Sequence, residues 1–330
     1  MPVEMNSWQR FRETMALGSP DRVPYFEEGL RKEVLAIWRQ QGLPHGETPK
    51  LLFPTDHREE IEPDLDPNPA LARYPSNAED LSEFRRCLNP NDTNRIALDE
   101  SSVSGALRDD RRVKMLRVHR GFFLSMGVRD WSRFKELMDL LIDKPDIVRQ
   151  AMDIQGRFAA RLADKILSFI QVDAAIFSEP ISGNEGPLIS PEMYEDIVLS
   201  SYQPLINVLK SHGVETVIFR TYANSRILIP WILEHGFNCL WACEVNLKTM
   251  DYRDLRREFG TDLRLIGGID LDALRQGEKA IRKELTTKLP PLLAEGGYIP
   301  LADGRIREDV RYADYMYYRH LLREIIDQGL

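Results

Sequence analysis

Cysteines, long apolar runs and an excess of basic residues are all missing or scarce in this chain of 330 residues. Cys87, Cys239 and Cys243 are its only cysteines, and so small and odd a number fits reduced thiols rather than a disulfide framework. No apolar run approaches the roughly 20 residues of a membrane span. The N-terminus also lacks the basic-then-apolar pattern of a secretory signal. We therefore expect a cytoplasmic protein with no membrane partner.

The charge balance is acidic, with 52 Asp and Glu residues against 44 Lys and Arg residues and a net charge of −8. Proteins that bind nucleic acids nonspecifically need a basic face, so we expect no nucleic-acid partner. A local basic pocket within an acidic shell stays open. Hydrophobic residues make up 43% of the chain and charged residues 29%, as in ordinary globular proteins.

Five short apolar runs in the second half of the chain are each followed by a helical pattern. They cover residues 173–177, 214–219, 237–242, 263–266 and 297–301. Such alternation predicts βα units and a parallel sheet. Polar residues stand at or just past the ends of the runs: Glu179, Arg220, Glu244, Asp270 and Asp303. If the sheet closes into a (β/α)8 TIM-type barrel, these side chains ring the mouth where barrel enzymes place their chemistry.

The first half of the chain predicts an N-terminal elaboration of that barrel. Helices are expected at 7–17, 31–41, 130–143 and 146–170, and a closing helix at 312–326. Short strands are expected at 22–26, 95–99 and 113–118, the last two as an inserted hairpin. Residues 42–78 are rich in Pro, Asp and Glu and predict an irregular segment. We interpret residues 1–330 as one domain, with 42–115 as an excursion or lid.

Several motifs occur in an order and spacing that resemble the uroporphyrinogen decarboxylase superfamily. They lie at residues 21–24 (Asp-Arg-Val-Pro), 186–194, 228–230, 267–270 (Gly-Gly-Ile-Asp) and 296–300. The resemblance covers nearly the whole chain and is strongest from residue 172 onward. It implies a (β/α)8 barrel with a deep cleft at the C-terminal ends of the strands. It also implies one of two reactions: decarboxylation of the acetate arms of uroporphyrinogen, or corrinoid-dependent methyl transfer, for which related barrels use zinc to activate a thiol.

The chain departs from both branches of the superfamily. Where the decarboxylase has an arginine-rich stretch that grips porphyrin carboxylates, residues 28–32 read Glu-Gly-Leu-Arg-Lys, which keeps at most one arginine. The His-x-Cys of the thiol-activating methyltransferases is replaced by Arg220-Thr221-Tyr222, and their late cysteine is missing. The Asp-His of many relatives reads Asp303-Gly304. Neither activity therefore transfers directly.

The charged residues at the strand ends each allow a catalytic and a structural interpretation. Arg220 offers a fork for a carboxylate or phosphate, or forms an ion pair with Glu179 or Glu244. Glu179 and Glu244 follow apolar strands, where desolvation would raise the pKa of a carboxyl group and make it a general acid. A glutamate at the position of Glu244 also occurs in the zinc-using relatives, which favours it as a site residue.

The remaining candidates lie in loops. Tyr222 is a proton donor or a packed aromatic residue, and Asp270 contacts substrate or caps the following helix. Asp303 and Arg305 clamp a substrate carboxylate or form a solvated ion pair.

Two further predictions concern residues 119–120 and metals. His119 is a ligand or a hydrogen-bonded structural group, and Arg120 is a candidate for anion binding. Zinc prefers a tetrahedral set of Cys and His ligands, but no histidine pattern accompanies Cys239 and Cys243, which fit small core residues. Glu179, Glu244 and Asp303 suit a hard cation for which Arg220 would compete. We expect no obligatory zinc.

We expect a superfamily enzyme other than the housekeeping decarboxylase, of a methyltransferase type in corrinoid-linked demethylation. Glu244 or Tyr222 would supply a proton to the leaving group, while Arg220 and Arg305 bind the acidic part of a small acidic or methoxylated substrate. No cofactor is expected to be bound permanently, and a partner protein carrying cobalamin would accept the methyl group. Two alternatives stay open: a decarboxylase of a porphyrinogen or other carboxylated small molecule, and a noncatalytic ligand-binding barrel.

Overall fold

A computed structural model describes residues 4–96, 111–245 and 248–328. These residues form two compact units. The terminal unit draws on Met1–Arg58, Arg111–Val113 and Cys239–Leu330, and the central unit on Glu59–Asp110 and Lys114–Asn238. In the part of the chain that the structure describes, no helix is both long and apolar enough to span a membrane.

The chain alternates strands and helices. The strands are β1 (Arg58–Ile61), β2 (Val113–His119), β3 (Ala174–Glu179), β4 (Thr216–Tyr222), β5 (Cys239–Cys243), β6 (Arg264–Ile269) and β7 (Tyr298–Ala302). The helices before β3 are Ser7–Met15, Val34–Gln40, Pro49–Leu52, Ala78–Cys87, Phe122–Ser125, Trp131–Asp143 and Pro145–Leu167. Those after it are Pro191–Met193, Ser200–Ser211, Ile229–Glu234, Tyr252–Phe259, Leu271–Arg275, Glu278–Glu295 and Tyr312–Asp327.

In the terminal unit, β5, β6 and β7 are parallel neighbours in chain order. Trp241 pairs with Ile266, and Ile266 pairs with Ile299, and all three side chains are fully buried. Continuous burial of this kind is typical of parallel strands covered by helices. The helices Glu278–Glu295 and Tyr312–Asp327 pack on each other in this unit. The C-terminal ends of the three strands therefore meet at one edge of the sheet.

In the central unit, β2, β3 and β4 are also parallel neighbours. The helices Pro145–Leu167 and Ser200–Ser211 pack closely, and Gly156 makes the close approach possible. A Cβ atom at this position would lie 2.0 Å from the carbonyl oxygen of Ser201, well inside van der Waals contact. Any side chain at residue 156 would force the two helices apart.

The α/β class and the five predicted strands of the second half are confirmed, since β3–β7 begin and end within a few residues of the apolar runs. Each unit has the parallel βα alternation from which a TIM-type barrel is built. Residues 113–118 form a strand as predicted, and this strand, β2, pairs parallel with β3. The predicted hairpin with residues 95–99 stays a prediction, since residues 97–110 lie outside the described residues.

The strand predicted at residues 22–26 is wrong. Pro24 has no backbone N–H to donate, and the N–H of Tyr25 goes to the carboxylate of Asp56 at 2.7 Å instead of a strand partner.

The charged stretches of the first half contain more regular structure than predicted. Residues 42–78 include the helix Pro49–Leu52 and the strand β1. Residues 93–95 form a 3-10 turn rather than the start of a strand. The rest of the strand predicted at 95–99, from residue 97 onward, lies outside the described residues.

Candidate functional site

Three carboxylates of the terminal unit directly follow three parallel strands. Glu244 follows β5, Asp270 follows β6 and Asp303 follows β7. The backbone N–H of Glu244 donates to the carbonyl oxygen of Asp303 at 2.7 Å, and the N–H of Asp303 donates to the carbonyl oxygen of Ile269 at 2.9 Å. The three strand ends are thus linked by backbone hydrogen bonds beyond the sheet ladder.

Glu244 has an unusual backbone conformation and two cationic neighbours. Its φ angle is +48°, a region that residues with a Cβ atom rarely occupy and that is often found at functional sites. The nitrogen Nη2 of Arg307 lies 3.1 Å from Oε1 of Glu244, and Nη2 of Arg31 lies 3.8 Å from the same oxygen. The side chains of Glu244, Arg31 and Arg307 are 48%, 45% and 32% exposed. We call these three residues the Glu244 cluster.

The position of Arg31 depends on a pairing distant in sequence. Leu30 and Ile306 form a parallel bridge, in which the N–H of Arg31 donates to the carbonyl oxygen of Ile306 and the N–H of Ile306 donates to that of Gly29, both at 3.0 Å. This pairing brings residue 31 next to residue 307. Arg31 is the one arginine kept in the stretch 28–32 that the sequence resemblance singled out.

Asp303 is almost fully buried, with 3% of its surface exposed. Its carboxylate accepts the N–H of Val245 at 3.1 Å and the N–H of Leu271 at 3.3 Å. Burial raises the pKa of Asp303 to about 7 against these two lowering hydrogen bonds, and the nearby charge of Asp270 acts in the same direction as burial. The carboxylate holds the loops after β5 and β6. Arg305 is exposed, and the hydrogen bonds that the Asp303 carboxylate accepts come from the backbone.

Asp270 caps a helix, which is the structural alternative to substrate contact. It is the N-cap of the helix Leu271–Arg275 and accepts the N–H of Asp272 at 2.8 Å. Burial is the main cause that raises the pKa of its carboxyl group, and the charge of Glu284 adds to it. Asp270 therefore lies beside Asp303 without sharing its hydrogen bonds.

Arg220, in the central unit, holds a carboxylate of the chain itself. Its two terminal nitrogens donate to the two oxygens of Glu60 at 3.0 and 2.8 Å, a bidentate geometry. Arg117 also contacts Glu60, at 3.1 Å. Glu60 is thus an ion-pair partner of Arg220 that the sequence did not indicate. In the register of β3 and β4, Arg220 pairs with Ser178, whereas Glu179 pairs with Thr221, so the two side chains point to opposite faces of the sheet.

Glu179 is fully buried in the central unit and surrounded by donors. Its carboxylate accepts the hydroxyl of Tyr202 at 2.5 Å, the N–H of Phe122 at 2.8 Å and the hydroxyl of Tyr194 at 3.3 Å. Burial raises the pKa of Glu179 to about 7 although these three hydrogen bonds lower it. The carboxyl group ties β3 to three segments of the helical layer, and none of its surface reaches solvent.

The other predicted residues of the central unit have local partners. His119 is fully buried, its Nδ1 accepts the N–H of Gly121 at 3.0 Å, and burial, aided by the charge of Arg120, lowers its pKa to about 3. Arg120 forms an ion pair with Asp66. Tyr222 is 39% exposed and stays a predicted proton donor.

Sequence reasoning missed Arg307 and Glu60. Arg307 stands two residues beyond Arg305, so the side-chain alternation of an extended segment was the signal that could have added it. Glu60 lies within residues 42–78, for which the sequence predicts an irregular segment. Its strand, β1, was not predicted because it consists mostly of charged residues. Among the described residues, no group of three or more His, Cys, Asp or Glu side chains is arranged to hold a metal ion. The three cysteines are buried free thiols.

The chain was compared with known proteins and protein families. The family model described as "Uroporphyrinogen decarboxylase (URO-D)" matches residues 125–300, which is more than half of the chain and includes β3 to β6 and the first part of β7. No curated protein matches it.

Proposed function

The chain belongs to the uroporphyrinogen decarboxylase family, and we propose that it is a family enzyme whose chemistry takes place at the Glu244 cluster. The proposed reaction is transfer of a methyl group from a small methoxylated acid to a corrinoid carried by a partner protein. The methyl acceptor is taken from the family resemblance. The position of the chemistry rests on the residues of the terminal unit.

The observation that carries the proposal is the half-exposed pairing of Glu244 with two arginines at the end of a parallel strand. Two guanidinium groups and one carboxylate leave one positive charge over, which suits an acidic group of the substrate. When the carbon–oxygen bond of a methoxy group breaks, its electron pair stays on oxygen. A fixed guanidinium beside that oxygen would stabilise the developing negative charge.

The arrangement favours a positioning role for Glu244 rather than the proton donation expected from the sequence. Its carboxylate forms ion pairs with both guanidinium groups. Its backbone is fixed by the hydrogen bond from its N–H to the carbonyl oxygen of Asp303. Asp303 in turn holds the next residue, Val245. The unusual φ angle of Glu244 is therefore supported on both sides, as expected for a strained residue that serves a function.

Three arginines on or just after β2 and β4 favour a substrate with few acidic groups. Arg220 and Arg117 contact Glu60, and Arg120 contacts Asp66. A porphyrinogen with many carboxylates would need several cations to hold it, and these three arginines already have carboxylate partners within the chain. For this reason we favour methyl transfer over porphyrinogen decarboxylation as the function.

Decarboxylation of a smaller carboxylated molecule is the second candidate. The surplus positive charge of the Glu244 cluster favours it as well, because one arginine can anchor a carboxylate while the other stabilises the charge that remains when carbon dioxide leaves. The two candidates differ in product and in the need for a corrinoid.

The deciding experiment incubates the protein anaerobically with reduced cobalamin and methoxylated benzoic acids, and in parallel with uroporphyrinogen and small dicarboxylic acids. We expect methylcobalamin and the demethylated phenol in equal amounts, without carbon dioxide. Carbon dioxide release in the absence of cobalamin, with no methyl transfer, would establish the decarboxylase instead. Saturable binding of a substrate without turnover in either assay would support the noncatalytic alternative.

A further inference from the structure

The central unit contains a basic groove. The groove and the Glu244 cluster are formed by different helices, strands and loops. The groove runs between the end of the helix Ala78–Cys87, with the loop that follows it, and one face of the helix Pro145–Leu167. Its volume is about 440 Å³, within the roughly 300–1,000 Å³ typical of small-molecule sites. No part of the proposed function uses it.

The charge of the groove is opposite to that of the protein. Four arginines line it, two from each helix: Arg85, Arg86, Arg157 and Arg161. Among the described residues that line the groove, Asp153 is the only acidic one, so the formal charge of these residues is +3 in a chain of net charge −8. A concave surface with one sign of charge concentrates ions of the other sign.

Arg157 and Arg161 repel each other along one helix, and Asp153, four residues before Arg157, offsets part of this repulsion. Arg157 and Arg161 are four residues apart on one helix and face the same groove, an arrangement in which like charges destabilise a helix. On the other side, Arg86 pairs with Glu83 at 3.3 Å, but both side chains are more than 60% exposed. Such a pair is weak and easily exchanged for a ligand. An anion in the groove would remove the repulsion between Arg157 and Arg161.

A buried arginine connects residues that line the two sides of the groove. Arg95 is 1% exposed and donates to the carbonyl oxygens of Asn89 at 2.7 Å and Cys87 at 2.6 Å. Its guanidinium also lies 4.6 Å from the ring centre of Phe158, and both Phe158 and Asn89 line the groove. Arg95 therefore links the end of the helix Ala78–Cys87 and the loop after it to the facing helix before any ligand arrives, which lowers the entropic cost of binding.

We propose that this groove binds a small polyanion, a molecule with two or more phosphate or carboxylate groups. Arginines on two facing walls can hold two acidic groups of one ligand, and the fork of each guanidinium fits either group. Phe158 also lines the groove and suits an apolar part between the acidic groups. A diphosphate and a polycarboxylate would be recognised in the same way, through two anionic groups of one molecule.

The test titrates the full-length protein with pyrophosphate and with citrate at low ionic strength, using calorimetry. We expect at least one of them to bind, with affinity that falls as salt is added. The double variant R157Q/R161Q should weaken binding by about tenfold or more, since it removes two charge-assisted contacts. Binding of pyrophosphate alone identifies a phosphate ligand, and binding of citrate alone a polycarboxylate; either supports the proposal.

The matched control is R149Q. Arg149 lies on the same helix but contacts Asp146 and Asp196 instead of the groove, so this variant should bind like the wild type. An equal loss in R149Q would overturn the proposal, as would no binding of either anion at millimolar concentration. Tight binding of poly-glutamate without binding of the small anions would also overturn it and would identify a docking face for an acidic protein.

Discussion

The side chain of Asp303 accepts a hydrogen bond from the backbone N–H of Val245 over 3.1 Å. Val245 directly follows Glu244, whose own N–H donates to the carbonyl oxygen of Asp303. One residue at the end of β7 thus fixes both the strained φ angle of Glu244 and the chain just beyond it. The state of the Asp303 carboxyl group should therefore control the Glu244 cluster.

Asp303 should impose a pH dependence on turnover. Its pKa is raised to about 7 by burial, so it is protonated below that pH and ionised above it. The ionised form accepts from both Val245 and Leu271, whereas the protonated form gives up part of its accepting capacity. We expect kcat to rise with pH through a step near 7 in the wild type. D303N should lack this step and be about tenfold slower at pH 8, because the amide has only one acceptor oxygen.

The comparison variant for this step is D270N. Asp270 lies beside Asp303, and its charge is one of the causes that raise the pKa of Asp303, whereas Lys288 lowers it. Removing the charge of Asp270 should therefore move the step to lower pH without abolishing it. A step of unchanged position and size in D303N would assign the titration to another group.

Arg307 should matter for turnover more than Arg275, its matched control. Both are part-exposed arginines of the terminal unit in ion pairs, but Arg275 contacts Asp272 and Asp309 on the surface. We expect R307M to lower kcat/KM by about 100-fold, the loss of one charge-stabilising contact, and R275M by less than about twofold. The same assay on R305M tells whether Arg305, which the sequence indicated, contributes to turnover as Arg307 does. Equal losses in R307M and R275M would remove the Glu244 cluster from the proposed site.

The sequence predicted the strand ends well because their signal is local. Fully buried parallel strands are continuous apolar runs, so the residue after each run was visible, and Glu244, Asp270 and Asp303 do lie together. Arg31, beside Glu244, could not be placed in this way. Its position depends on the bridge between Leu30 and Ile306, which joins segments far apart in the chain and leaves no periodic pattern.

Glu60 shows a second limit of sequence reasoning. β1 contains the residues Arg-Glu-Glu-Ile, and three charged residues in a row give no apolar alternation from which to predict a strand. Its partner Arg220 follows an apolar run and lies within β4, but the carboxylate that Arg220 contacts depends on the fold. Glu179 shows the same limit for the direction of a side chain. Its position at the end of β3 was predictable, but its orientation toward Tyr194 and Tyr202 depends on the register of the strands.

Glu179 should make the protein less stable as pH rises. Its pKa is raised from 4.5 to about 7 in the folded protein by burial, so between these values the folded state binds a proton that the unfolded state has released. The stabilisation is complete below about pH 4.5, falls as pH rises to 7 and is absent above it. The predicted change is about 3 kcal/mol over this range.

The measurement is the free energy of unfolding from urea titrations at several pH values between 5 and 8. E179Q cannot titrate, so its free energy of unfolding should depend less steeply on pH than that of the wild type. Some slope should remain, because the pKa of Asp303 is raised in the same direction. Identical slopes in E179Q and the wild type would show that Glu179 does not titrate in this range.

Gly121 should be irreplaceable for a reason that is both conformational and steric. Its φ angle is +85°, and a Cβ atom would lie 2.5 Å from the carbonyl oxygen of Ser178 and 2.7 Å from Oε1 of Glu179. The residue lets the chain turn from β2 into the helix Phe122–Ser125, whose first N–H donates to Glu179. G121A must therefore both adopt a strained φ angle and push the Glu179 carboxylate away from its donors. We expect it to lower the free energy of unfolding by about 3 kcal/mol or more.

The matched control for G121A is G213A. Gly213 has a similar φ angle of +74°, but nothing lies within 4 Å of a Cβ atom there, so only the conformational strain of about 1–2 kcal/mol should remain. Urea unfolding at pH 6 compares the two variants. A larger loss in G213A than in G121A would contradict the packing of Gly121 against β3. If the two losses are equal, the strained φ angle accounts for the whole effect and the Glu179 carboxylate yields to a methyl group without cost.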